Sequence, residues 1–393
     1  VQTPVLAAIS RRYRERENHI SSDSWPIYIS LQKDGILFKM RRTQDLPDKE
    51  SATMFFQDCK LAHQAQITGI SHSVKEILPP DLLDLTQLQK EANIRYGYTA
   101  SEVYDIAQSL YEKKLISYPR TSSRYLTEDV FDSLSPIMAR LLSWELFPAA
   151  KGTGGIDISS LSRHVISAEK ANVHHAIIIT GIRPGNMSEK EMQVYRLVAG
   201  RMLEAFMAPC RIETTNVEAV CAAQHFKVEQ TRIIEAGWHD VFMCSDMIPT
   251  SGYSVKELPK MEKGDTLNVC GCNMVHKKQL PVNPFTDAEL VEYMEQNGLG
   301  TVSSRTNIIR TLVNRKYIRY SGKYIVPTPK GMFTYETIRG KKIADTSLTA
   351  DWEKQLAGLE SGMITGQDFL NRIRTLAKEM TDDIFNTYST KEE

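Results

Sequence analysis

Two strand-forming stretches stand far apart in this chain, and neither can make a stable sheet without the other. From Trp25 to Met40 the sequence reads as a hairpin, with Ile27-Tyr28-Ile29-Ser30-Leu31 and Ile36-Leu37-Phe38 flanking an Asp34-Gly35 turn. A second strand-rich stretch runs from Arg211 to about Leu280, where His225-Phe226-Lys227-Val228-Glu229 alternates and Glu235-Ala236-Gly237-Trp238 reads as a strand end. Each is too small to bury a sheet face alone. The expectation is that they pair into one β-rich domain, with the helical text between them inserted as another.

A length of 393 residues exceeds what one core organises, and 41% hydrophobic residues is ordinary for a globular protein, so two to four domains are expected. No run of about 18 apolar residues and no signal-peptide pattern is present, and the expected location is cytoplasmic. The 48 basic residues balance the 48 acidic ones, so bulk charge announces no partner. Local charge does. Between Arg305 and Tyr335 stand Arg305, Arg310, Arg315, Lys316, Arg319, Lys323 and Lys330 with no Asp or Glu, a field that attracts phosphate. A second basic set, Arg11, Arg12, Arg14 and Arg16, is diluted by Glu15 and Glu17. Six cysteines form no Cys-x-x-Cys pair, and Cys270-Gly271-Cys272 has no second pair at zinc-ribbon spacing; all six read as reduced thiols.

Within the insertion, Thr99 and Glu102 make a capping box ahead of Val103, Ile106, Ala107, Leu110 and Tyr111 at helical spacing. That helix delivers the chain to Leu115-Ile116-Ser117-Tyr118-Pro119-Arg120-Thr121-Ser122-Ser123-Arg124. A phenol with a pKa of about 10 attacks a phosphodiester only where cations favour phenolate and absorb charge in the transition state. Arg120 and Arg124 are placed to supply them, while Pro119 holds Tyr118 in extended geometry. Sixteen tyrosines occur in the chain, and any one taken alone is more often a half-buried core residue.

The surrounding text decides between those readings. Pro79 to Asn93, Tyr104-Asp105-Ile106-Ala107-Gln108-Ser109-Leu110-Tyr111 and Ser117-Tyr118-Pro119-Arg120-Thr121 resemble the active-site domain of type IA DNA topoisomerases, the bacterial topoisomerase III branch above all. Val1-Gln2-Thr3-Pro4-Val5-Leu6 is similar to the end of that family's Gly-Arg-Val-Gln-Thr-Pro signature. Val173-His174-His175-Ala176-Ile177-Ile178 resembles its paired-histidine motif, and Gly298-Leu299-Gly300-Thr301 through Tyr317-Ile318 its DNA-gate helices. Two positions depart from the pattern: Ile179 and Val302 stand where the motifs have proline.

The resemblance implies a multidomain α+β fold in a toroidal arrangement, with a β-rich arch domain, a helical tyrosine-bearing domain and a winged-helix-like domain. In the family's terms residues 1–12 end the first segment of domain IV, 13–77 with 211–285 form domain II, 78–210 form domain III and 286–393 form domain IV. It implies Tyr118 as nucleophile, with Arg120 and His174 catalytic. Adjacent helical residues point about 100° apart, so one of the two histidines faces a given site; by motif position that is His174. Gln2, Arg12, Thr121, Arg124, His175, Ser303, Ser304, Arg305 and Arg310 are the expected DNA contacts.

It further implies an upstream Toprim domain that carries the Mg²⁺ ligands, so the chain looks like a piece of a longer protein that binds DNA and cleaves it only with that domain. The expected partner is single-stranded DNA, bound by a monomer, with helicase or single-strand-binding proteins as helpers. Two other readings stay open: a piece that only binds DNA, and a relaxase-like tyrosine nuclease. The second wants metal-binding histidines alternating on a strand, whereas His174 and His175 are adjacent.

Near the C-terminus, Thr286 and Glu289 form another capping box, Gly298-Leu299-Gly300 closes that helix, and a second helix follows with Ile308, Ile309, Leu312 and Val313 inward. Tyr317 to Val326 then reads as a hairpin around Ser321-Gly322. Thr365 to Phe385, with Phe369, Leu370, Ile373, Leu376 and Met380 at helical spacing, reads as packing that completes the last domain.

Overall fold

A computed structural model describes residues 1–144, 146–147, 163–171, 174–242, 253–360 and 362–389. Helix α1 (Gln2–Glu17) leads through the short strand β1 (Asp23–Ser24) to β2 (Ile27–Lys33), β3 (Ile36–Arg42), helix α2 (Lys49–Leu61) and the long strand β4 (Gln64–Ile77). A helical unit follows: α3 (Leu85–Tyr96), α4 (Ala100–Glu112), α5 (Glu128–Asp132), α6 (Leu134–Ser143), α7 (Ala168–Ala171) and α8 (Glu189–Phe206). The chain then returns to sheet in β5 (Cys210–Cys221), β6 (Gln224–Glu235), β7 (Thr266–Met274) and β8 (Lys277–Lys278). It ends in α9 (Asp287–Gln296), α10 (Val302–Asn314), β9 (Ile318–Ser321), β10 (Tyr324–Pro327), α11 (Pro329–Ile338), α12 (Thr346–Glu360) and α13 (Gly366–Ser389).

The two distant β stretches do pair. Strands close into a barrel in the order β2-β3-β6-β5-β4-β7, so each stretch supplies the neighbours that the other lacks. Asp34 and Gly35 both take positive φ, 51° and 81°, the geometry that a two-residue turn needs to match strand twist. Alternation then turns Ile27, Ile29, Leu31, Phe38, Met40, Ala65, Ile67, Val217, Ala219, Phe226 and Val228 into one interior. Helix α2 and strand β4, neither of them read as separate elements in the sequence, complete this unit.

Strands β4 and β5 stay paired from Gln66↔Val220 to Ile77↔Cys210, well past the barrel, and carry the chain to the helical unit. Trp238 locks that junction by donating its indole N–H to the Ile77 carbonyl at 2.9 Å. Gly237 sits at φ 52° beside the Ala208 and Pro209 carbonyls, where a Cβ would lie 2.3 Å from an oxygen, so the close approach requires glycine.

The helical unit and the C-terminal unit have separate apolar cores. One gathers Leu88, Val103, Ala107, Leu110, Val194, Met202 and Leu203; the other gathers Val5, Leu6, Ile9 of α1 with Leu290, Val291, Met294, Ile309, Leu312, Ile318 and Ile325. The two expected capping boxes, Thr99 with Glu102 and Thr286 with Glu289, are both formed. Between the cores lies a polar seam. Lys90 meets Glu292 at 2.7 Å, Arg310 meets Asp105 at 2.8 Å, and Gln89 donates to Thr306 at 2.9 Å. The expectation that α13 completes the last domain holds only loosely. Phe369, Ile373, Leu376 and Met380 are half-buried and Leu370 is exposed, because the helix rests on the rest of the unit through ion pairs such as Lys341–Asp383.

Asp287 stands in this seam at 2% exposure, accepting from the Ala100 N–H at 3.2 Å and the Tyr320 hydroxyl at 3.1 Å. Burial pushes its carboxyl up to about 6, against the pull of those two donors. A folded-state value above the unfolded one favours folding fully below the unfolded pKa of about 4, and that contribution is lost as pH rises through about 6. Asp287→Asn keeps the accepting oxygen without the charge. Thermal melts should show it more stable than the native chain at pH 8, by up to about 3 kcal/mol, with the advantage vanishing towards pH 4; a gap that does not change with pH would count against the argument.

Candidate active site

Helix α4 stops at Glu112, Lys114 turns the chain with φ 60°, and Leu115-Ile116-Ser117 run on as extended backbone. Their partner is the segment from Ala176 to Thr180. Ile116 bridges Ile179, the Thr180 N–H donates to the Leu115 carbonyl at 3.1 Å, and the Ser117 N–H donates to the Ile178 carbonyl at 2.8 Å. The Ser117 hydroxyl adds two bonds across the same gap, donating to the Ala176 carbonyl at 3.1 Å and accepting from the Ile178 N–H at 3.0 Å. Backbone pairing of this kind fixes Tyr118 against His174.

Tyr118 is half-buried, its ring 4.5 Å from that of His174 and 5.4 Å from that of Tyr111, the latter edge-on. His174 is exposed. The histidine pair lies outside any helix, with His174 at a bend, so the helical separation expected for it does not apply; the residues just after it pair with Leu83, Ile116 and Ser117. Val173 of the same motif lies outside the described residues. His175 turns its Nδ1 to the Ala176 carbonyl at 2.7 Å. Among the described residues nothing hydrogen-bonds the Tyr118 hydroxyl.

Arg120 is laid along α4. Its Nη2 donates to Gln108 at 3.1 Å, its guanidinium sits 5.1 Å from the Tyr104 ring, and its Nε is sheltered without a partner. Tyr104, Gln108 and Tyr111 fall at i, i+4 and i+7, so a single helix face backs both Arg120 and Tyr118. That spacing was visible in the sequence, and the polar aromatic stripe on an otherwise apolar helix was the available signal. Ser117 carried no such signal.

The remaining expected residues fall in several places. Thr121 is buried and donates its hydroxyl to the His174 carbonyl at 2.8 Å, which makes it a positioning contact. Arg124 donates to Asp84 at 2.7 Å and stands 3.9 Å from Glu295. Asp84 also caps α3; burial raises its pKa, opposed by the Gln87 N–H and by Arg124. Arg124 edges a cavity of about 230 Å³ lined by Ser122, Ser123, Tyr125 and Lys170 together with three carboxylates.

Arg305 is buried in the seam, donating to Thr86 and Glu295 at 3.1 Å each, and Arg310 is held by Ser101 and Asp105. Ser304 closes a capping box with Thr301, and Ser303 lies 3.2 Å from the Thr301 hydroxyl. Gln2 accepts from Arg315 at 3.2 Å, while Arg12 stacks on Phe285 at 4.1 Å and donates to the Asn283 carbonyl. The structure thus unites Tyr118, Arg120, Thr121, His174 and His175, joins Arg124 to Arg305 through Glu295, and leaves Arg12 elsewhere.

A family model described as DNA topoisomerase matches residues 1–371. The chain belongs to the type IA DNA topoisomerases. It is 29% identical to the DNA topoisomerase 3 of Bacillus licheniformis over 98% of its own length and 56% of that protein. Identity to the Shouchella clausii DNA topoisomerase 3 is 30%, over 98% of this chain and 55% of that one. The DNA topoisomerase 1 of Methanocaldococcus jannaschii is 29% identical, over 100% of this chain and 50% of the relative. The chain therefore spans about half the length of these relatives. In fold it matches full-length topoisomerase I of Thermotoga maritima with a TM-score of 0.74, at 22% identity, over 96% of this chain and 62% of the other. The expected multidomain α+β architecture is that of this topoisomerase fold.

Ser117→Ala should cost about 1–3 kcal/mol, because it takes the Ser117 hydroxyl away from the buried Ile178 N–H. Ser117→Thr should restore most of that loss. Melting curves for the two variants check the bridge; equal curves for Ala and native would show that the hydroxyl contributes nothing.

Proposed function

We propose that Tyr118 is the nucleophile of a topoisomerase that cuts one DNA strand, holds it as a phosphotyrosine, lets another strand through and reseals the break. The observation that carries this reading is the half-exposed Tyr118 ring against the exposed His174, with Arg120 alongside and its Nε lacking a partner. In the cleavage step the Tyr118 oxygen bonds to phosphorus and the bond from phosphorus to a deoxyribose oxygen breaks. The phenol loses its proton and the sugar oxygen gains one. One phosphodiester replaces another, so no nucleotide hydrolysis is needed and the step runs backwards as readily.

Arg120 supplies charge to the phosphoryl oxygens, and its sheltered Nε offers a donor already freed of water. His174, its ring 4.5 Å from that of Tyr118, is the proposed donor to the same phosphate. Single-stranded DNA is the proposed substrate, gripped by its backbone. The exposed cations Arg315, Lys316, Arg319 and Lys323 lie on the end of α10 and the β9–β10 hairpin, a winged-helix-like element, and suit phosphate contacts. Binding should therefore weaken steeply with salt. Magnesium belongs to the proposed reaction of the full-length protein. Among the described residues no group of three or more His, Cys, Asp or Glu could hold a metal ion. No helix among them is long and apolar enough to cross a membrane.

The decisive experiment uses the full-length protein with single-stranded DNA and Mg²⁺, quenched in detergent. Tyr118→Phe should yield no covalent protein–DNA adduct while binding stays near native, and Arg120→Lys should lower adduct yield through loss of the forked donor. Adducts that persist in Tyr118→Phe would refute the assignment.

A further inference from the structure

The C-terminal unit encloses a cavity that strand cleavage does not use. Its floor is one face of α1, where Pro4, Ala7 and Ala8 fall at i, i+3 and i+4 and leave space because none of their side chains is long. The volume is about 430 Å³, within the range of small-molecule sites and larger than a bare phosphate fills. Every residue that lines it belongs to the C-terminal unit, whereas Tyr118 and His174 belong to the helical unit.

What sets this cavity apart is its charge. Arg11 reaches in from α1 and donates to the Tyr293 hydroxyl at 3.4 Å. Helix α11 stops at Ile338, Gly340 takes φ 77°, and the chain turns back so that Arg339, Lys341 and Lys342 all line the space. Against these four cations stands a single carboxylate, Asp345, which is turned to the Ser347 N–H at 2.9 Å. The negative end of α11 accounts for cations at its own terminus, but not for an arginine from another helix in the same space. Lys341, its side chain 11% exposed, is committed to the Asp383 carboxylate at 3.0 Å. Arg339 and Lys342 are less firmly held. They lie 3.6 Å and 3.8 Å from Glu336 and Glu379, in exposed pairs of the kind that contribute little and yield to a stronger anion. A concave wall carrying one sign of charge concentrates the opposite sign.

We propose that this cavity is a second nucleotide site, in which Arg11, Arg339 and Lys342 hold one phosphate and the small side chains of α1 take the sugar. The phosphate belongs to a DNA strand or to a free nucleotide, and the same groups serve either. Arginine presents paired donors to two phosphate oxygens, and lysine adds a point charge. The site goes beyond cleavage at Tyr118 and does not depend on it.

The test uses the full-length protein without Mg²⁺, so that binding is read without cleavage. A labelled single-stranded oligothymidylate reports strand binding, and calorimetry with thymidine 5′-monophosphate and with inorganic phosphate reports the free ligands. Arg339→Ala combined with Lys342→Ala should weaken the strand, the monophosphate or both about tenfold, and for the strand should make the fall of log affinity with log salt shallower by about 1.4. Lys60→Ala combined with Lys263→Ala, which removes exposed cations of the barrel unit, should change neither. Ala7→Leu fills the cavity and keeps every charge, and should weaken the same ligand; if it disturbs packing, the exposed pair at 339 and 342 still decides. A loss confined to the strand assigns the phosphate to DNA, and a loss that includes the monophosphate assigns it to a free nucleotide as well; both uphold the proposal. Native protein that binds neither, unchanged binding in Arg339→Ala/Lys342→Ala, an equal loss in the barrel control, or inorganic phosphate that binds as tightly as the monophosphate would each overturn it.

Discussion

Backbone pairing between Leu115-Ile116-Ser117 and Ala176-Ile177-Ile178-Ile179 is the constraint on which the site depends. The tyrosine and the histidine belong to segments separated by more than fifty residues, and neither segment is part of a large sheet. What joins them is a short ladder in a buried setting, where each unpaired N–H or carbonyl costs about 1–3 kcal/mol. Ser117 makes the ladder tighter by using its side chain as a second backbone, and Thr121 repeats the device at the His174 carbonyl. The Tyr118 hydroxyl is left without a hydrogen bond among the described residues because the residues beside it do the holding.

The same division between holding and acting appears at larger scale. Apolar side chains build each unit from within, and the surface where the helical unit meets the C-terminal unit is mostly carboxylates, guanidinium groups, amides and hydroxyls. Ala100 and Val302 are the residues that cross between the cores. Arg305, placed by its sequence position as a phosphate ligand, belongs to this surface: Glu295 and Thr86 occupy its guanidinium. Ion pairs of this sort hold register more than they add stability, since desolvation offsets much of the attraction.

Local grammar was legible and distant pairing was not. The Asp34-Gly35 turn and both Thr-x-x-Glu boxes could be read because the groups that satisfy them lie within a few residues. Strand β4 escaped because its outer half, from His72 to Glu76, faces solvent and shows no alternation. The histidine segment escaped because its conformation is imposed by Ser117 and Leu83, far away in sequence. Tyr118 stood out in the sequence through its arginine, its proline and the family pattern, whereas the contacts of Ser117 and Thr121 needed the folded geometry.

The β4–β5 ribbon that leaves the barrel has mechanical meaning. Strand β6 runs beside β5 over the same length, from Cys221↔Gln224 to Arg211↔Glu235, so the extension is three strands wide, and stretching it means breaking two rows of cross-strand bonds together. The ribbon thus serves as a strut that keeps the helical unit at a set distance from the barrel.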